Sequence, residues 1–357
     1  MKFSDQQKRR LLGFAFITLL IASILYGTTY QQFRHFDLGD PRGIADIYGY
    51  IEMAHGNFRV DPPHRYRPII PWIAGAISST IDPPEAARVS ADRLSFYIVN
   101  YLLIIASAVF LFYFFLNVTK STFLSFIGLM IFLGSRQTII AGATPVIESY
   151  YICSIAAFAW LVATRRVIWL ALALPIMAWS KETMIPLLFL PLVARDFRRW
   201  EFFLGLIIAL ASVWGIRALV DFIYAEHIAQ YEANYSGDLK TALGVDKRSG
   251  IFQIFEVAWN GLQVLWPNII SLKWWHTIQN GFTLALPLSV AGLVIYLRRK
   301  ETGIPLPILA LLPIAVAYQL VNEAGGRMLF TAFPAIIALA LVAVREIMER
   351  VSFGRKV

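Results

Sequence analysis

Apolar runs long enough to cross a bilayer recur along the whole chain, separated by short clusters of arginine and lysine. Nothing else in the sequence constrains the fold as strongly, because a span needs only about 20 apolar residues to cross a hydrocarbon core of roughly 30 Å. The first run, Leu11 to Thr29, follows Lys8-Arg9-Arg10 and ends without a small-x-small cleavage pattern, so it reads as an uncleaved span. With 58% of its 357 residues hydrophobic and a mean hydropathy of +0.61, the chain carries more apolar surface than one soluble core hides. The runs lack the period-2 alternation of a barrel. Backbone groups in lipid must therefore be satisfied within helices. The expected fold is all-α: a polytopic membrane protein with about ten transmembrane helices, organised as a single transmembrane domain over residues 1–357.

Further spans are predicted over Leu94 to Val118, Ser121 to Ile140, Val146 to Ala163, Glu201 to Phe222, Gly281 to Leu297, Ile304 to Val321 and Met328 to Val344. Two shorter runs, Val167 to Trp179 and Thr183 to Ala194, flank Ser180-Lys181-Glu182. Basic residues lie at both outer ends of this pair, Arg165-Arg166 on one side and Arg195, Arg198 and Arg199 on the other, which predicts a hairpin. A helix of about 13 residues reaches only about 20 Å, so the charged tip would lie beneath the membrane surface, facing a cavity or a partner. The basic clusters orient the short loops and both termini toward the cytoplasm. Residues 30–93 and 224–280 then form two large extracytoplasmic loops. Arg136 fits this scheme poorly, falling near the outer end of the third span.

The formal charge of +9 resides in those topology clusters, so nucleic acid is set aside as a partner. The one cysteine, Cys153, falls within a predicted span and has no internal partner for a disulfide.

Acids, tyrosines, histidines and arginines are concentrated between Asp37 and Trp72. Asp40-Pro41 has the form of a helix start, with Asp40 as N-cap. Ile44, Ile47, Tyr48, Ile51 and Ala54 then recur on one face, which predicts a helix in the interface plane, greasy side down. Asp46, Tyr50 and Met53 point the other way. A carboxylate held above the headgroups suits a general base acting on a hydroxyl, but Asp46 equally suits plain solvation of that face, and Asp40 a plain cap. Arg65 and Arg67 flank Tyr66 just before a proline-interrupted apolar run. Their planar forks match phosphate oxygens, and arginines at this depth also serve as ordinary interfacial anchors.

Glu148, Lys181, Glu182 and Arg327 sit at the outer ends of different predicted spans, which suggests that they line one cavity. Arg217 and Asp221, a turn apart, read as an intrahelical salt bridge. His35, His55 and His64 share a loop but show no metal-ligand spacing, and there is no Walker, GxSxG or dinucleotide turn. The residues point to no particular cofactor, and a divalent metal is allowed but not indicated by ligand spacing.

These features resemble the GT-C superfamily of membrane glycosyltransferases, which use polyprenyl-phosphate sugars. The resemblance rests on the acidic loop after the first span (Asp37, Asp40 and the Asp46-xxx-Tyr50-xxx-Ala54 pattern), on YRPIIPW from Tyr66 to Trp72, on Lys181-Glu182-Thr183 and on RMLFTAFP from Arg327 to Pro334. It implies a catalytic acid in the first outer loop, carried to Asp46 first and Asp40 second. It also implies cations around the departing lipid phosphate, here Arg65, Arg67, Lys181 and Arg327, with Tyr50, Glu148 and Glu182 as further substrate-binding residues. The implied partners are a polyprenyl-phosphate sugar donor, a lipid or glycan acceptor and membrane lipids, in a bacterial plasma membrane. The aromatic second loop, with Trp259, Trp266, Trp274 and Trp275, would recognise the acceptor or rest on the membrane. A transporter or flippase of lipid-linked sugars is the main other reading, and an envelope-glycan polymerase or ligase shares the architecture but not the donor.

Overall fold

The computed structural model describes residues 5–35, 46–60, 62–83, 90–235, 263, 281–282, 284–299, 303–321 and 327–353. Among them the regular structure is entirely helical. Four helices are long and apolar enough to cross a membrane: Leu11–His35, Ala91–Thr119, Trp200–Ile223 and Leu329–Val351. The chain is thus an all-α protein with membrane-spanning segments.

The first helix, α1 (Asp5–His35), faces outward over most of its apolar length and touches the body through Ile21 and Leu25. Three short helices follow, α2 (Asp46–Ala54), α3 (Pro62–Arg65) and α4 (Ile69–Ser78). Of these α4 packs on α5 (Ala91–Thr119), the central helix, and α2 packs on α4; α5 also packs against α1 and the next three helices. Ser90 caps α5 by accepting the Arg93 amide, and Lys120 ends it in the left-handed region at φ 55°. Ser121 then caps α6 (Thr122–Leu133) through the Leu124 amide.

The third predicted span is not one straight helix. It bends by 62° between α6 and α7 (Arg136–Ala143). Ser135 causes the break, because its hydroxyl accepts the Thr138 amide and starts a new helix where the old one ends. The awkward position of Arg136 follows: it occupies the exposed first turn of α7 at that corner.

The helix α8 (Glu148–Ala163) packs along α5, and its start is held by one buried amide. Asn100 of α5 donates from Nδ2 to the carbonyls of Thr144 (2.8 Å) and Val146 (2.9 Å), while its Oδ1 accepts the Ser149 hydroxyl. An amide costs several kcal/mol to bury in an apolar span without partners, so Asn100 locks the corner that presents Glu148.

The charged turn expected at Lys181 and Glu182 does cap a hairpin. Its first leg is α9 (Val167–Ala178). Its second is α10 (Met184–Leu187) followed by 3-10 turns over Leu190–Val193 and Arg195–Phe197, broken where Pro186 and Pro191 lack amide protons. Arg165 Nη1 meets Asp196 Oδ2 at 3.0 Å, joining the two feet. Beside it runs α11 (Trp200–Ile223), which leads into α12 (Ala225–Tyr235). The remaining helices are α13 (Ala285–Arg299), α14 (Leu306–Leu309), α15 (Leu311–Val321) and α16 (Phe333–Phe353), the last preceded by a 3-10 segment, Arg327–Ala332. Backbone contact between α13 and α16 requires Gly292, where a β-carbon would meet the Leu339 carbonyl oxygen at 1.9 Å.

Candidate functional site

Several of the residues singled out above converge where the short helices α2–α4 meet α8, α11 and the hairpin tip. The base of this site is a small apolar cluster of Tyr50, Met53, Phe58, Val60, Ile70, Ala74, Phe96, Val99, Ile147 and Val220, drawn from four helices and the intervening loops. It fixes α2 in an orientation that differs from the amphipathic expectation. Ile47, Tyr50 and Met53 form the buried face, and Tyr48 is 53% exposed. Tyr50 and Met53 turn inward because the protein, not the membrane, supplies the larger apolar surface beside them. Close approach is allowed by Gly75 of α4, where a β-carbon would lie 2.2 Å from the Ala54 carbonyl oxygen.

Asp46 opens α2, and its Oδ2 lies 3.4 Å from His64 Nε2. The His64 ring sets its edge against Tyr50, with centroids 5.6 Å apart at 83°. The Tyr50 hydroxyl accepts from Arg67 Nη1 at 3.3 Å, and Arg67 donates from Nε (3.0 Å) and Nη2 (2.7 Å) to Glu182 Oε2 at the hairpin tip. The other Glu182 oxygen lies 3.6 Å from Arg217 Nη2. Arg217 also stacks over the Tyr66 ring at 5.1 Å, and the Tyr66 hydroxyl donates to Asp221 at 2.9 Å. Lys181 approaches Glu148 at 4.0 Å and lies 5.8 Å from the centre of the Tyr151 ring. A chain of contacts therefore runs from Asp46, through the ring contact of His64 with Tyr50, into a hydrogen-bonded network that reaches the tip, and Lys181 turns from that tip toward the start of α8.

A narrow cavity of about 40 Å³ opens beside Lys181 and is lined by Gln137, Glu148, Tyr151, Phe330 and Thr331, among others. A second slot, sharing Lys181, is walled by Tyr66, Arg67, Glu182 and Arg217. Burial pushes the Tyr50 phenol well above its ordinary pKa of 10.0, although the Arg67 charge works against this, so the hydroxyl is neutral at physiological pH. Burial likewise raises Tyr66, reinforced by its bond to Asp221. Burial weakens the Arg67 charge, but Tyr50 and Glu182 outweigh it and the guanidinium is held above its ordinary range.

Asp46, Tyr50, Arg67, Glu148, Lys181 and Glu182 are thus brought together. Arg65 is not among them. It is 1% exposed, donates from Nε (3.1 Å) and Nη2 (3.0 Å) to the Val60 carbonyl, and sits over the Tyr231 ring at 5.3 Å. Its fork satisfies a buried carbonyl within the loop, where the sequence suggests a phosphate. Arg217 and Asp221 do not bridge each other but clasp Tyr66, and Lys181 and Glu182 take separate partners. Asp37 and Asp40 lie outside the described residues, as do the four loop tryptophans and the Arg327 side chain. The 3-10 segment that begins at Arg327 supplies Phe330 and Thr331 to the cavity wall. No group of three or more His, Cys, Asp or Glu side chains that could hold a metal occurs among the described residues.

Sequence reasoning missed the positioning parts. His64 beside Asp46, Asn100 behind Glu148 and Tyr66 between Arg217 and Asp221 join segments far apart in the chain. Only Asn100 carried a signal, as an amide inside an apolar run. No family model matches this chain, and no significant match was found among curated proteins.

Proposed function

We propose that the chain is a membrane glycosyltransferase of the GT-C type, transferring one sugar from a polyprenyl phosphate to an acceptor on the extracytoplasmic face with inversion. In this reading about ten segments traverse or re-enter the bilayer, both termini are cytoplasmic, and the membrane is a bacterial plasma membrane. The observation that carries it is the placement of the Asp46–His64 pair against Tyr50, whose hydroxyl accepts from Arg67, with Arg217 joined to Arg67 through Glu182 and Lys181 beside them at the same tip, so that cations from three segments gather near one carboxylate.

In the proposed reaction the Asp46 carboxylate takes the proton of the acceptor hydroxyl as its oxygen bonds to the anomeric carbon. The bond from that carbon to the phosphate oxygen breaks, and the electron pair leaves with the polyprenyl phosphate. Guanidinium and ammonium groups stabilise the charge that grows on the leaving phosphate. Arg67, Lys181 and Arg217 serve that role, with Arg327 as a further candidate, whereas Arg65 organises the loop. Nucleotide sugars are made in the cytoplasm, so a site on the outer face needs a sugar already carried across on lipid.

The test is transfer by purified protein in nanodiscs from a panel of radiolabelled polyprenyl-phosphate sugars. The variant Asp46→Asn should lose about 10²–10⁴-fold in turnover while still binding donor. Unchanged turnover would remove Asp46 from the base role, and lipid translocation without transfer would favour a flippase.

A further inference from the structure

At the opposite end of α9 from the hairpin tip, about 18 Å away along a 12-residue helix, lies an open cavity of about 730 Å³. It is lined by Arg165, Arg166, Val167, Ile168, Trp169, Asp196 and Arg199. Three guanidiniums therefore face one carboxylate, and that carboxylate is taken by Arg165 at 3.0 Å. Arg166 stacks over Trp160 at 5.0 Å, which holds its charge in place without neutralising it. Among the described residues neither Arg166 nor Arg199 has a carboxylate within 4.0 Å, so the cavity keeps two uncompensated positive charges.

Two helix starts add to this field. The helices α9 and α11 run parallel, since Ala171 packs on Gly205 and, further along, Trp179 Nε1 donates to Ser212 at 3.0 Å. Val167 and Trp200 therefore begin their helices at nearly the same level. Their N-cap residues are Arg166 and Arg199, and neither supplies a side-chain cap. The positive ends of two helix dipoles thus reinforce the arginines. Glu201, in the first turn of α11, is not part of the lining.

The rim is apolar. Ile168 (58% exposed), Trp169 (62%) and Trp200 (70%) face away from the protein beside the arginines. A soluble anion has no use for such a rim, whereas a glycerophospholipid needs cations for its phosphate and apolar side chains beside its acyl chains.

We propose that this cavity binds the phosphate headgroup of an anionic phospholipid, whose chains lie along Ile168 and Trp169. The lipid would brace the feet of the hairpin that carries Lys181 and Glu182, and this assignment holds whatever reaction the other end performs.

The experiment is native mass spectrometry and thermal-shift measurement on the full chain in mild detergent, titrated with phosphatidylglycerol, phosphatidylcholine or inorganic phosphate. Phosphatidylglycerol should bind and raise the unfolding temperature, and the other two should not. The double variant Arg166→Gln/Arg199→Gln should weaken phosphatidylglycerol binding by about tenfold or more. Its charge-preserving counterpart, Arg166→Lys/Arg199→Lys, should keep most of it. The variant Arg345→Gln/Arg350→Gln, which removes equal charge from α16, should bind as the parent does. Both cavity arginines are exposed, so these changes leave the core intact. Equal binding by the glutamine variant, equal loss in the α16 control, or equal stabilisation by phosphatidylcholine overturns the assignment. Protection by inorganic phosphate as strong as that by phosphatidylglycerol overturns the lipid and moves the site to a soluble phosphate.

Discussion

Replacing Gly75 by alanine is expected to damage the site around Tyr50 and Arg67 more than any other single-methyl change. A β-carbon at this position lies 2.2 Å from the Ala54 carbonyl oxygen and 3.0 Å from its carbon, whereas ordinary contact begins at 3.4 Å. The difference, 3.4 − 2.2 = 1.2 Å, is the distance by which α4 and the end of α2 must separate. Both obstacles are backbone atoms, so no rotamer change relieves the clash. Overpacking of this kind costs about 1–3 kcal/mol. The functional loss should be larger, because α2 presents Asp46 and holds Tyr50 against Arg67, and a misplacement of about 1 Å costs on the order of 10²-fold in rate. The assay pairs a denaturant-unfolding midpoint in detergent with the proposed sugar transfer from a lipid-linked donor. Gly215→Ala in α11 is the control, since nothing lies within 4 Å of its new methyl. If Gly75→Ala matched Gly215→Ala in both stability and transfer, the close contact between α2 and α4 would be refuted as the device that positions the site.

Other outcomes follow from the same geometry. Arg65→Ala should destabilise the fold by about 1.5–3 kcal/mol by orphaning the Val60 carbonyl, yet leave donor affinity of the folded fraction unchanged in a lipid-binding titration. Arg67→Lys cannot reproduce the two bonds to Glu182 and the third to Tyr50, so transfer efficiency should fall by about 10–100-fold, read from kcat/KM with circular dichroism unchanged. Tyr50 has its pKa raised on folding, so the native state holds that proton more tightly. Its contribution is fully present below the ordinary value of 10.0 and is lost as pH climbs above it. Tyr50→Phe should therefore flatten the alkaline limb of a stability-against-pH curve, and an identical limb in parent and variant would refute the buried phenol.

The candidate site was legible in the sequence only as a list of positions. Charges placed at the ends of different apolar runs pointed to Glu148, Lys181, Glu182 and Arg327 as the lining of one cavity, because a charge in an oily chain must meet water or a partner; Glu148 and Lys181 line one cavity, Glu182 shares the neighbouring slot with Lys181, and the Arg327 side chain lies outside the described residues. The pairings were not legible. Adjacent residues Lys181 and Glu182 look like a local pair, but a turn splays them toward α8 and toward the loop. Arg65 and Arg67 look equivalent, and only the path of the loop decides that one fork closes on a carbonyl and the other on a carboxylate.

By itself the sequence determined that the chain is helical and membrane-spanning, since apolar length and backbone hydrogen bonding in lipid leave no other solution. Tertiary structure alone decided which face of α2 is buried, where the third apolar run bends, and how Arg67 and Arg217, from distant segments, meet on Glu182 beside Tyr50. Periodicity states that a helix has an apolar side. It does not state whether lipid or protein covers that side, and that choice is made by the partners that folding supplies.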